Sequence, residues 1–192
     1  MLDHFTPDDP QKYIITADRG YESYDLLFHC ELKNLGYVFR VKSPSSPKSI
    51  LSYYASELPD DLEEFDVTIK RFFTDKATNI MKSQSDVYRY INPSKNTPHF
   101  YELLRKNHSH LYFLQFRVVK IKTAENTYEY LITNLPFSFT LDDIQECYHW
   151  RWGIEISFRY LKHAAGLLYF HSKQPESSSC AGIPAGTSIL SG

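Results

Sequence analysis

The 192 residues carry 42% hydrophobic and 16% aromatic side chains, enough to bury one good-sized core in a globular domain. Their formal net charge of −2 excludes a global positive field as the source of any nucleic-acid affinity, so basic surface has to be local. Cys30, Cys147 and Cys180, odd in number and far apart, exclude a disulfide framework and a zinc-ligand spacing, and no apolar run reaches the roughly 18 residues of a membrane span. Without a basic stretch followed by an apolar leader at its start, the chain is expected to be reduced and cytoplasmic.

Tyr13 to Ala17 is short, apolar and β-branched, which predicts a strand, and Asp18, Arg19 and Gly20 predict the turn that ends it. Leu26, Leu27, Cys30 and Leu35 then give a partly helical apolar pattern, closed by Gly36 where a helix commonly stops. Tyr37 to Val41 reads as the next strand, and strand, helix, strand is the grammar of a parallel α/β unit. Ser43, Pro44, Ser45, Ser46 and Pro47 break that pattern. From 44 to about 130 the texture is β-rich, with strands expected over 65–73, 88–91, 111–122 and 127–133, the last two joined as a hairpin around Ala124, Glu125 and Asn126. This stretch is read as a mostly β insertion within an α/β domain.

Thr140 is a good N-cap with Asp143 three residues on, so a long helix is expected over 141–164, ending near Gly166. At 100° per residue, Arg151, Glu155 and Lys162 lie at about −60°, −20° and −40° from Tyr148, one carboxylate among bases and a phenol. A second stripe, Cys147, Trp150, Ile154, Phe158 and Leu161, is centred about 120° away and is expected to anchor the helix to the core, with Trp150 in that core. Trp152 lies nearer the polar line, where it could stack on a base. On geometry alone, Glu155 with Arg151 four residues before it and Arg159 four after it is ordinary surface pairing, about 0.2 to 0.5 kcal/mol per pair. Beyond Glu176 periodicity disappears, and 174–192 is expected to be a disordered or aberrant tail.

The spacing of Tyr148, Arg151, Glu155 and Lys162 resembles the YREK signature of bacterial insertion-sequence DDE transposases. The flanks are similar too, with Leu131 to Leu135 upstream, Arg151 next to Trp152, and Phe170 to Lys173 downstream. The run Ile14 to Tyr21 followed by Gly36 to Lys42 resembles the segment that carries the second acidic residue of these enzymes. The resemblance covers roughly residues 12 to 173 and implies a partial ribonuclease H-like fold. Residues 1–43 would be core with Asp18, 44–130 the β-rich insertion, and 131–173 the return to the core with the Glu-bearing helix.

By the same resemblance Asp18 and Glu155 are catalytic metal ligands, with carboxylates about 4 to 8 Å apart to share divalent ions. Hard oxygen ligands suit Mg²⁺ or Mn²⁺. Tyr148, Arg151 and Lys162, with Arg159 and Trp152 beside them, become contacts to double-stranded DNA at transposon ends, and the resemblance also implies a transposase dimer located on the nucleoid. The implied activity is metal-dependent strand cleavage and strand transfer.

The first acid of the triad should end an earlier strand. Asp3, Asp8 and Asp9 sit in a segment interrupted by Pro7 and Pro10 and are not assigned to that role. The chain therefore reads as a truncated transposase that is inactive by itself. Two other readings stand beside it: a non-catalytic DNA-binding or inhibitory remnant, and an α/β interaction module in which Glu155 only neutralises Arg151 and Arg159. His108 and His110 read as polar loop or strand-edge residues, and Lys120 and Lys122 as either a DNA path or a solvated strand edge.

Overall fold

The computed structural model describes residues 8–9, 13–92 and 96–151. They form a mixed α/β fold around one six-stranded sheet. In chain order the elements are β1 (Ile14–Ala17), α1 (Tyr24–Leu32), β2 (Gly36–Val41), β3 (Phe65–Thr74), α2 (Asn79–Ser83), β4 (Tyr88–Tyr90), α3 (Pro98–Lys106), β5 (Leu111–Ala124) and β6 (Thr127–Thr133). A last helix, α4, runs over 141–151. The sheet order is β1-β2-β6-β5-β3-β4, so β2 lies between a parallel neighbour, β1, and an antiparallel one, β6.

The strand, helix, strand opening follows the sequence, but the helix ends earlier and by a different residue. α1 stops at Leu32, and Asn34 takes the left-handed turn at φ 52°, a conformation its short polar side chain tolerates. Gly36 is instead the first residue of β2, where an added Cβ would lie 3.1 Å from Leu135 Cδ2 and 3.2 Å from the Tyr13 carbonyl oxygen. Close approach, not helix termination, is what this glycine supplies.

Side chains alternate across β2 and divide the core. Tyr37, Phe39 and Val41 join the larger cluster, which includes Leu27 and Phe28 of α1 and Phe100, Leu103 and Leu104 of α3. Val38 joins the smaller cluster with Val119, Ile121, Leu131, Leu135 and, from α4, Ile144, Cys147 and Tyr148. The helix at 98–106 was not expected from the β-rich texture. Pro98 occupies its first turn, and its N-cap Thr97 makes no side-chain cap bond. Asp25 of α1 supplies the cap from outside, accepting the backbone N–H of His99 at 3.0 Å and of Phe100 at 3.4 Å.

Residues 134–140 lead from β6 into α4, and buried Arg117 of β5 fastens them. Its guanidinium donates to the carbonyls of Leu135 at 3.2 Å, Pro136 at 2.8 Å and Phe139 at 3.0 Å, and forks onto the Asp66 carboxylate of β3. Thr140 then caps α4 as expected: its hydroxyl accepts the Asp143 N–H at 3.3 Å, and Asp143 in turn accepts the Thr140 N–H at 2.8 Å.

Two side-chain expectations are corrected. Trp150 is 67% exposed, because the buried face of α4 is Ile144, Cys147 and Tyr148, one step round the helix from the expected stripe. Lys120 is neither a DNA-path residue nor a solvated edge. It is buried, donating to the Asp60 and Leu62 carbonyls at 2.6 and 2.8 Å, while Lys122 pairs with Glu63 at 2.6 Å.

Candidate functional site

β1 ends at Ala17, and Asp18 follows at the carboxyl edge of the sheet, the usual place for ligand-binding residues in α/β folds. There it N-caps a single 3₁₀ turn, Arg19–Tyr21, accepting the Arg19 N–H at 2.8 Å. Tyr148 of α4 donates its hydroxyl to the same oxygen, Oδ1, at 3.3 Å. The Arg40 guanidinium of β2 stands 3.8 Å from Oδ1 and makes its closer ion pair, at 3.0 Å, with Glu129 of β6. Among the described residues every one of these contacts falls on Oδ1, leaving Oδ2 without a protein bond.

The electrostatics keep this carboxylate ionised. Partial burial works to raise the Asp18 pKa, but the Arg19 N–H, the charges of Arg151 and Arg40 and the Tyr148 hydroxyl together outweigh it and hold it below the ordinary value of 3.8. Tyr148 is shifted the other way: burial and the adjacent Asp18 charge raise its pKa, against the pull of Arg151 and Arg40. The Arg151 guanidinium lies 5.2 Å from the centroid of the Tyr148 ring, so the first turn of the motif is assembled as a stack beside the acid.

Asp18, Tyr148 and Arg151 are thus brought together. Glu155, Arg159, Lys162 and Trp152 lie outside the described residues, as do Ile154, Phe158 and Leu161, the expected helix end near Gly166, the flank at 170–173 and the tail. Two residues of the site carried no sequence assignment, Arg40 and Glu129. A signal was available: each is a charged residue inside an otherwise apolar or aromatic strand run, and Arg40 is only partly buried between Phe39 and Val41.

Elsewhere, His110 Nδ1 bonds to Asp75 at 2.9 Å at the surface, and His108 sits in the same turn at φ 48°. No group of three or more His, Cys, Asp or Glu residues that could hold a metal occurs among the described residues. Asp18 therefore fits a divalent ion as a single contributor: an ionised carboxylate with one oxygen open. Cys30 and Cys147 are buried free thiols, and burial pushes Cys30 up to about 12, which makes it a poor nucleophile. No described helix is long and apolar enough to cross a membrane.

Comparison with curated proteins finds no match. The family model described as "Transposase DDE domain" matches residues 1–183, which takes in the whole sheet, α4 and Asp18. On that match, the chain belongs to the transposase DDE domain family.

Proposed function

We propose that this domain binds double-stranded DNA at transposon ends and takes part in metal-dependent strand cleavage and strand transfer, with Asp18 and Glu155 as ligand carboxylates. Family membership supports a transposase-type function in general, and transposases of this kind generally use a divalent metal. The observation that carries the reading for this chain is the state of Asp18: ionised, anchored through Oδ1 by Arg19 and Tyr148, and open at Oδ2.

Each neighbour has a part in this reading. The Arg19 N–H and the Tyr148 hydroxyl fix the carboxylate's rotation, so its second oxygen is presented without reorganisation. A bound divalent ion would supply charge stabilisation to the oxygens of the phosphodiester undergoing displacement, Mg²⁺ or Mn²⁺ being suited to oxygen ligands. Arg151, Arg159 and Lys162 would neutralise and position backbone phosphates, and Trp152 would stack on a base. Tyr148, assigned to DNA by its place in the motif, also acts through Asp18, since its hydroxyl donates to that acid.

The test is Mn²⁺ binding by the full chain, followed by electron paramagnetic resonance. Asp18→Asn and Glu155→Gln should each weaken binding by at least about tenfold, the scale on which metal sites respond to loss of a supporting group. Unchanged Mn²⁺ affinity in both variants would remove the metal-ligand assignment.

A further inference from the structure

Beside Asp18 the surface opens into a cleft of about 370 Å³ that the motif residues do not line. Its walls come from the 3₁₀ turn, the end of β2 with the following loop, and β6: Arg19, Arg40, Lys42, Ser43, Ser46 and Glu129 supply its charged and hydroxyl groups, with Tyr128 and Tyr130 beside them. Three cations and one carboxylate line it, with Glu22 beside Lys42 and Asp18 beside Arg40 just behind the lining. The cations at the opening are thus partly balanced from behind and still face the cleft, where an anion can meet them. Lys42 stands 3.5 Å from Glu22, whereas Arg19 is exposed.

We infer that this cleft is a phosphate subsite for the nucleic-acid backbone, and that Glu129 is a positioning residue that holds Arg40 at its inner wall. The inference rests on the proposed DNA-binding function and extends it to strands β2 and β6. Arg40 is the hinge of the argument. Its NH2 pairs with Glu129 at 3.0 Å and its NH1 stands 3.8 Å from Asp18 Oδ1, so one guanidinium links the cleft lining to the acid. In this proposal a phosphate in the cleft meets the charge of Arg40 without breaking the Glu129 pair. Ser43 and Ser46 add hydroxyl donors, and Arg19 and Lys42 close the outer side. The side chain of Glu129 is only 9% exposed, so its charge is spent on Arg40 and not on the solvent.

The experiment is fluorescence anisotropy of the full chain with a mixed-sequence duplex of about 20 base pairs over a range of salt concentrations. The double variant Arg19→Ala with Lys42→Ala should lose about tenfold in affinity and flatten the salt dependence by about one to two phosphate contacts. Glu129→Ala should also weaken binding, whereas Glu129→Gln, which keeps an oxygen to accept from Arg40, should stay near wild type.

Wild-type binding with a steep salt slope that neither cleft variant alters would overturn the subsite and leave the wider DNA reading standing. No binding by the wild type would overturn both. Equal or tighter binding by Glu129→Ala and Glu129→Gln alike is the signature of merely deleting a negative charge and would overturn the positioning role. Saturable thermal stabilisation by inorganic phosphate, with no competition against the duplex, would assign the cleft to a free anion and overturn the backbone assignment.

Discussion

Tyr148 and Asp18, 130 positions apart in the chain, meet at 3.3 Å, with the phenol donating to the carboxylate. The phenol side chain is fully buried while the acid is partly open, so the bond joins the small core cluster beneath α4 to the solvent-facing edge of the sheet. Tyr148→Phe keeps the ring and removes only this bond. Stability should fall by about 0.5 to 1.5 kcal/mol, and the Asp18 pKa should rise, because one of the interactions favouring its charged form is gone. Carboxyl titration by NMR checks the second outcome independently of the first.

The depressed pKa of Asp18 also has a signature in stability against pH. A carboxyl whose folded-state value lies below its unfolded value of about 3.9 contributes stability that is complete above that value and is lost as pH falls through the folded-state value. The difference in stability between wild type and Asp18→Asn should therefore be constant from neutrality down to about pH 5 and change as acid is added below about pH 4. Urea denaturation at several pH values tests this; a difference that instead changes between pH 6 and 8 would assign the coupling to another group.

Arg117 should be among the least replaceable residues. Arg117→Met leaves the Asp66 carboxylate and three carbonyls without their donor, a loss on the scale of about 3 to 5 kcal/mol for a broken buried pair. Arg117→Lys should recover little, because one ammonium cannot span a carboxylate and three carbonyls at once. Denaturation midpoints measure both variants.

On α4, Ile144→Ala should cost about 2 to 5 kcal/mol, whereas Trp150→Ala should stay within about 0.5 kcal/mol, since Ile144 is fully buried and Trp150 is 67% exposed. A large loss at Trp150 would place the buried stripe where the apolar pattern of the sequence puts it.

Asp25→Ala removes the acceptor for the first free N–H groups of α3 and for His99 Nδ1, which lies 2.6 Å from the carboxylate. A loss of about 1 to 2 kcal/mol is expected, with hydrogen exchange accelerated first at His99 and Phe100.

Periodicity carried the strands well, because Tyr13 to Ala17, Tyr37 to Val41 and the 111–133 hairpin are apolar enough to have no alternative to a sheet. In α3 the helical spacing of Phe100, Leu103 and Leu104 after Pro98 was there to be read, and only its N-terminal cap, Asp25, 74 positions away, lies outside any local pattern. Periodicity failed at Trp150. Ranking by hydrophobicity favours the indole, but Tyr148 can be buried at no cost to its hydroxyl once Asp18 accepts from it. Asp18 was legible as a strand-end acid, and Tyr148 and Arg151 through their spacing. Arg40 and Glu129 stood out only as charges inside apolar or aromatic strand runs; their pairing was not legible, because it exists only after β2 and β6 lie side by side.

That neighbourhood sets the order in which the molecule can assemble. β1 and β2 pair in parallel across the α1 crossover and can form as soon as both have left the ribosome, but β6, the other neighbour of β2, begins only at Thr127. Until β6 arrives, β2 has an unfilled edge and Arg40 has no Glu129, and until α4 follows, Asp18 has no Tyr148. Chains interrupted in the span between β2 and β6 would hold the acid but lack the partners that anchor it, so the charged site comes into existence only after β6 and α4 have been made.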